Sequence, residues 1–242
     1  MADTLVIIPA FNEAARIAAV INGVRGVVPA ADIVVIDDGS ADGTDAIALA
    51  AGARVIRHPF NLGYGVAIQT GYKYALDHGY QYLVQIDGDG QHDPAHIAEL
   101  LQVVRGGAAD FVLGSRFLAA ESYTPPPLRR LGMVFFRKVV SLLIGQRITD
   151  STSGFQAFNR GVTAFFATEI FPCDYPDADV LLCLHRAGFT IREVPVRMHA
   201  SPAGKSMHSG LKPLYYVFKM LLSILVTLLR SRRLYRREDV CR

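Results

Sequence analysis

Asp87 and Asp89, separated by one glycine in QIDGDGQHDP (residues 85–94), are the side chains whose type and spacing most directly suggest chemistry. They follow the apolar run YLVQI, so a buried strand ends on concentrated negative charge. Residues two apart on an extended backbone point to one side, and a turn through Gly88 can bring both carboxylates to one site. With the side-chain oxygen of Gln91 they form a hard, all-oxygen set suited to Mg2+ or Mn2+, leaving room for phosphate oxygens and water. Such a cation would offset the charge of a diphosphate and stabilise it as a leaving group. Asp-Gly pairs are also ordinary turn formers that need no metal. A calcium loop of EF-hand type does not fit, because His92 and Ala98 stand where it needs Gly and Glu. His92 and Asp93 fall outside the metal set, Asp93 reading better as the cap before Pro94 at a helix start.

Two other polar turns end apolar runs. VVIDDGSADGT (34–44) carries Asp37 and Asp38, with Ser40 or Asp42 able to cap the following helix and Gly39 and Gly43 able to make the turn. PAFNE (9–13) closes the first run. Three polar turns at neighbouring strand ends would converge as a nucleotide pocket does. Two standard nucleotide motifs are excluded. AGKS at Ala203–Ser206 lacks the first P-loop glycine, whose place His199 takes, and GYGVAI at Gly63–Ile68 has Ile68 at the third glycine of a dinucleotide fingerprint.

The elements that must position these turns alternate. Strand-like runs at Thr4–Pro9, Asp32–Asp37, Ala53–Arg57, Gln81–Asp87, Asp110–Gly114 and Ile191–Arg197 are separated by helical periodicity at Glu13–Arg25, Asp42–Ala51, Gly63–Asp77 and Pro94–Arg105. This is the pattern of βαβ units in an α/β fold with a mainly parallel sheet flanked by helices. In such sheets ligands sit beyond the carboxyl ends of the strands. YTPPPLRR reads as a loop, Leu131–Ile148 as a helix with Arg137, Ser141 and Gly145 along one face, and TDSTSG as a polar loop.

The chain of 242 residues has 25 Lys and Arg against 22 Asp and Glu, a net charge of +3. Six arginines and two acids between Arg230 and Arg242 make that tail +4 and leave −1 for the rest. A neutral body with a basic tail argues against a nucleic-acid binder, which carries positive charge along a folded face, and suits an anionic membrane surface better. Three scattered cysteines signal neither a disulfide framework nor a zinc site, and a reducing cytoplasm is expected. The strand-like run TLVIIPA begins within four residues of Met1, so no export signal is expected. From Leu211, polar positions at Lys212, Tyr216, Lys219, Ser223, Thr227 and Arg230 recur every three or four residues in an otherwise apolar run. That predicts an amphipathic helix lying in a membrane interface, with RSRRLYRR on anionic headgroups. The alternative is a core or dimer helix. Domain boundaries are expected at 1–210 for the α/β domain and 211–242 for the membrane-associated helix and basic tail.

In order and spacing, VIIPAFNE, VVIDDGSADGT, FNLGYGVAIQTGYKYAL, QIDGDGQHDP, VLGSRF, GQRITDSTSGFQAF and REVPV resemble the family 2 glycosyltransferases of GT-A fold, in the branch of dolichyl- and polyprenyl-phosphate sugar synthases. The likeness spans roughly residues 4 to 206. It implies a Rossmann-like GT-A fold and roles for matching positions. Pro9, Phe11, Glu13, Ile36 and Asp38 match nucleoside-binding positions, Phe11 standing where many members have Tyr. Asp87, Asp89 and Gln91 match the metal and diphosphate positions, with Gly88 against the ribose or diphosphate. Arg116 of GSRF matches an arginine facing the phosphates; a surface salt bridge is the alternative, and its place straight after a strand end favours the phosphate role. After EVPV the family has an arginine in a flexible loop over the diphosphate, and here Ser201 takes that place, leaving Lys205, Arg197 or a shifted register to supply the cation. His199 and His208 read as solvated loop residues.

The resemblance implies an inverting transfer from a UDP- or GDP-linked sugar to a polyprenyl or dolichyl phosphate at the cytoplasmic membrane face, with Mg2+ or Mn2+ and a small integral membrane partner protein. A lipid monophosphate, whose second pKa is about 6, is already ionised near neutrality and requires no general base. Asp87, Asp89 and Arg116 would then carry catalysis by positioning and charge neutralisation. If the acceptor were instead a hydroxyl of a glycan, Asp177 or Asp179 in DYPDAD would be the base; otherwise these two would cap the helix through Leu184.

Overall fold

Seven strands build one sheet in the computed structural model, which describes residues 2–118, 127–172, 176–199 and 212–230. In chain order they are β1 (Thr4–Ala10), β2 (Asp32–Asp37), β3 (Arg54–Arg57), β4 (Tyr82–Gln85), β5 (Phe111–Ser115), β6 (Gln156–Asn159) and β7 (Ile191–Pro195). Their order across the sheet is β3-β2-β1-β4-β6-β5-β7. All neighbours pair in parallel except β6, which is antiparallel to both β4 and β5. The α/β expectation therefore holds, with one reversed strand that periodicity did not reveal.

The helices are α1 (Ile17–Val27), α2 (Thr44–Ala50), α3 (Tyr64–Asp77), α4 (Ile97–Arg105), α5 (Pro127–Ile144), α6 (Arg160–Phe166), α7 (Ala178–Ala187) and α8 (Lys212–Leu229). The inner strands are buried on both faces, as parallel sheets require, while the edge strands β3 and β7 are partly exposed. Leu5, Ile7, Val34, Ile36 and Leu83 face a core shared with α3, α5, α6, α7 and α8, while Val6, Ile8, Val35 and Val84 face one shared with α1 and α4.

Several boundaries moved for physical reasons. PLRR of the expected loop begins α5, with Pro127 at the first helical position, where its missing N–H costs nothing. The same helix stops at Ile144 because Gly145 adopts φ +72. Ser141 then ties the exit: its hydroxyl accepts from the Ile148 N–H at 3.0 Å. The Asp93 cap appears as expected, accepting from the Ala95 N–H at 3.0 Å ahead of Pro94. Ser40 does not cap α2; it accepts from the Asn12 N–H at 2.9 Å instead.

The C-terminal helix turns its polar stripe inward. Ser223 donates to Asp179 of α7, and Met220, Ile224 and Thr227 are buried against the domain. Phe218, Leu221, Leu222, Leu225, Leu228 and Leu229 are exposed. Among the described residues no helix is long and apolar enough to cross a membrane.

Candidate active site

The order β2-β1-β4 places a topological switch point between β1 and β4, where the crevice beyond the strand ends is the expected ligand site. The three polar turns meet there. Side chains of the turn after β2 hold the turn after β1: Thr44 Oγ1 accepts from the Glu13 N–H at 2.9 Å, and Asp42 Oδ2 from the Ala14 N–H at 3.0 Å. Asn12 sits at φ +57, a left-handed value that Asn tolerates, and its side-chain oxygen accepts from the Ala41 N–H at 3.0 Å.

Asp38 is buried, and its carboxylate accepts from the N–H groups of Leu62 and Gly63, each at 2.9 Å, and contacts His58 Nδ1 at 2.8 Å. It thereby anchors the segment from His58 to Gly63 over the turn. Gly39, at φ +74, makes room for that segment, since a Cβ there would lie 2.6 Å from the Phe60 carbonyl carbon. The Ile36 side chain lies wholly in the core, so only strand backbone can present Ile36 to the crevice. Phe11 is exposed, while Pro9 is buried.

Beyond β4, Asp87 Oδ1 accepts from the Tyr64 hydroxyl at 3.0 Å, and Oδ2 contacts His92 Nε2 at 3.1 Å. Asp89 Oδ1 accepts from the Gln91 N–H at 2.9 Å, and the Gln91 carbonyl accepts from the His199 N–H at 2.7 Å. Gly88 packs on β1, where a Cβ would come within 3.1 Å of the Pro9 carbonyl oxygen. Burial pushes the Asp87 carboxyl up, but the His92 and Tyr64 hydrogen bonds and the Arg116 guanidinium outweigh it and hold it below its ordinary value. Burial and the Asp87 charge hold Asp89 above its ordinary value. Glu13 is raised by burial, with the charges of Asp89, Asp42 and Asp87 adding and Arg16 opposing.

Asp89 and Glu13 are raised in part by neighbouring carboxylates, and a divalent cation would relieve that repulsion. Each Asp87 oxygen spends about one of its two lone pairs on a protein donor, which leaves lone pairs for a metal. The charge and the free lone pairs of Asp87 and Asp89 therefore suit a hard divalent cation such as Mg2+ or Mn2+.

Arg116 is no surface residue. Its guanidinium is buried and meets Asp150 in a fork, Nε to Oδ2 and Nη2 to Oδ1 at 2.6 Å each, with Nη2 also donating to Thr152 at 2.8 Å. Asp150 is in turn presented by Glu193 of β7, which accepts from the Thr149 and Asp150 N–H groups at 2.9 Å. The polar loop 149–154 is thus the platform for Arg116. Lys205 and Ser201 lie outside the described residues. Arg197, the other candidate loop cation, is exposed just after β7.

Asp179 has no access to the crevice: it is 0 % exposed, bonded to Ser223, and accepts from the Val180 N–H at 2.9 Å. Asp177 takes the N-cap position of α7, but without a capping bond from its side chain. Burial pushes Asp179 up to about 6, Ser223 opposing and the Asp177 charge adding. An exposed aspartate titrates at about 3.9, so the folded chain holds the extra proton and stability falls as pH rises from about 4 to about 6, then levels. Asp179→Asn is expected to abolish that fall and to be about 2–3 kcal/mol more stable than the parent above it. Urea unfolding at a series of pH values checks this; parallel curves for the two proteins would count against it.

The sequence reading missed Tyr64, His92, Asp150 and Glu193. Asp150 and Glu193 lie within GQRITDSTSGFQAF and REVPV, but only the strand order brings them to Arg116.

The model of the family "Glycosyl transferase family 2" matches residues 5–165. The chain belongs to glycosyltransferase family 2. Among curated relatives, this family 2 glycosyltransferase is 33% identical over 218 residues to the polyprenol monophosphomannose synthase of Mycolicibacterium smegmatis, covering 86% of this chain and 81% of that one. It is 31% identical to the undecaprenyl-phosphate mannosyltransferase of Micrococcus luteus, covering 85% and 87%. Its fold matches glucosyl-3-phosphoglycerate synthase of Mycobacterium tuberculosis in complex with phosphoglyceric acid with a TM-score of 0.70 at 21% identity, over 93% of this chain and 79% of that one. The same synthase in complex with Mn2+, UDP and glucosyl-3-phosphoglycerate gives 0.66 at 22%, over 95% and 79%.

Proposed function

We propose that this family 2 glycosyltransferase moves a sugar, with inversion, from a UDP- or GDP-linked donor to a polyprenyl or dolichyl phosphate. The observation that carries this reading is the carboxylate pair Asp87 and Asp89 at the switch point, with Asp89 carrying uncompensated negative charge. The curated relatives named above act on polyprenyl-linked phosphates, which supports the acceptor class.

Asp87, Asp89 and Gln91 would hold Mg2+ or Mn2+, which when bound neutralises the diphosphate and stabilises it as a leaving group. Glu13, Phe11 and the backbone at Pro9 and Ile36 would receive the nucleoside, Phe11 by stacking. Asp38 has about one acceptor direction left for it. Gly88 keeps the backbone close to the ribose or diphosphate. Arg116, held rigid by Asp150, and Lys205 would draw the two anions together. The acceptor arrives ionised, so the protein orients it behind the anomeric carbon and need not remove a proton. The burial of Asp179 against α8 removes one of the two candidate bases for a hydroxyl acceptor.

The exposed apolar face of α8 and the basic residues after it suit peripheral attachment at the cytoplasmic face of a membrane, with residues 1–210 as the catalytic domain, 211–242 as the attachment and a small integral membrane protein as a further partner. Incubation with Mn2+, polyprenyl phosphate and a panel of nucleotide sugars should yield one glycosylated lipid by mass spectrometry. Transfer only to free glycans, with loss of activity in Asp177→Ala, would overturn the lipid-phosphate reading. Removal of the exposed apolar surface by Leu222→Gln with Leu225→Gln and Leu229→Gln should release the protein from anionic liposomes; unchanged binding rules out this attachment.

A further inference from the structure

We propose that Tyr64 and His92 are positioning residues that clamp Asp87, fixing the plane of its carboxylate toward the crevice. The inference rests on the metal reading above for what Asp87 then does. Each carboxylate oxygen has its own donor from a different element: Tyr64 opens α3, and His92 follows the DGDGQ turn. Two donors on two oxygens leave the carboxylate no low-energy rotation about its last bond, whereas one donor would leave a hinge.

The donors are themselves fixed. The Tyr64 hydroxyl accepts from Gln85 Nε2 at 2.9 Å, Gln85 also donates to the Gly154 carbonyl at 3.1 Å, and its side-chain oxygen accepts from the buried Tyr72 hydroxyl. A hydrogen-bonded chain thus runs from the core, through the last residue of β4, to Asp87.

The His92 side chain is 2 % exposed, and its ring packs on Phe155 at 5.2 Å between centroids. Its backbone bridges Met198. A carboxylate only accepts, so Nε2 carries the proton. The other ring nitrogen, Nδ1, is buried without a partner. The fold tolerates that unsatisfied atom while giving Nε2 to Asp87, which is the signature of a ring kept for one bond. Gly154 completes the clamp: a Cβ there would fall 2.6 Å from Asp87 Oδ2 and 2.9 Å from the Tyr64 hydroxyl.

Donors to a ligating carboxylate orient it, and their loss typically costs about 10- to 100-fold in metal affinity. Tyr64→Phe and His92→Phe should each weaken Mn2+ binding in the presence of UDP or GDP by that factor, measured by electron paramagnetic resonance. The rate at saturating Mn2+ should change less, and His92→Gln, which keeps an N–H donor, should recover part of the affinity. Unchanged Mn2+ affinity in folded Tyr64→Phe and His92→Phe would overturn the clamp. A second readout needs no metal: in crystals of Tyr64→Phe the Asp87 carboxylate should turn from its parental plane, and an unturned carboxylate again overturns the proposal. If the parent protein takes up no Mn2+ with either nucleotide, the metal reading fails, and the crystals still decide the clamp.

Discussion

Asp89→Asn is expected to lower sugar transfer by a factor on the order of 10^2 to 10^3 while leaving the ligand-free protein as stable as the parent or more so. The two halves have one cause. Without a cation, Asp89 is a part-buried carboxyl raised by burial and by the Asp87 charge, so its negative charge is a net burden on the fold. Asparagine keeps the shape and the acceptor for the Gln91 N–H and removes the burden. With a cation and a diphosphate, that charge is the part of the site that binds, and its loss is felt most where charge builds on the leaving group. Nucleoside diphosphate release at saturating Mn2+, beside melting curves without metal, separates the halves. A variant that keeps the parental rate would show that Asp89 does not ligate the metal; one that loses both rate and melting temperature would make Asp89 a structural residue.

The same charge logic explains why this half of the site was legible in the sequence. DGDGQ announces itself because unpaired acids after a buried strand need a reason, and β1, β2 and β4 could be traced from their apolar runs to the turns they carry. The reversed strand β6 was not legible, because QAFN is too short to show a period. The 149–154 loop could be quoted as a motif, but its use could not: Asp150 lies 34 residues from Arg116, and only the β5-β7 pairing brings Glu193 up behind it. Tyr64 and His92 were hidden for a related reason. A tyrosine at a helix start and a histidine in an acidic turn have many ordinary roles, and the one they play depends on an Asp87 carboxylate reached from two directions. The polar stripe of α8 was visible, but its direction was not. It faces inward because buried Asp179 needs a donor and Ser223 supplies one.

Asp150→Ala is expected to destabilise the protein by about 3–5 kcal/mol, because it strands a buried guanidinium whose strongest partner it removes. For a chain of this size each kcal/mol shifts the melting temperature by about 2–4 °C, so the loss should be plain in a thermal scan. The pair's own worth is a different quantity. Replacing both ends with apolar residues, Arg116→Met with Asp150→Leu, removes the two desolvation penalties together with the attraction, and such swaps are often neutral or stabilising. The double variant should therefore recover most of the melting temperature lost in Asp150→Ala. Its activity then decides what Arg116 is for. A guanidinium that only ties β5 to the 149–154 loop can be replaced by packing, and transfer would return with stability. A guanidinium that meets phosphate from its rigid mount cannot, and the double variant would fold, melt near the parent and remain inactive at saturating donor. The second outcome is expected, because a fork of two 2.6 Å bonds, itself held by Glu193, fixes Arg116, whose charge is felt at Asp87, more firmly than packing alone requires.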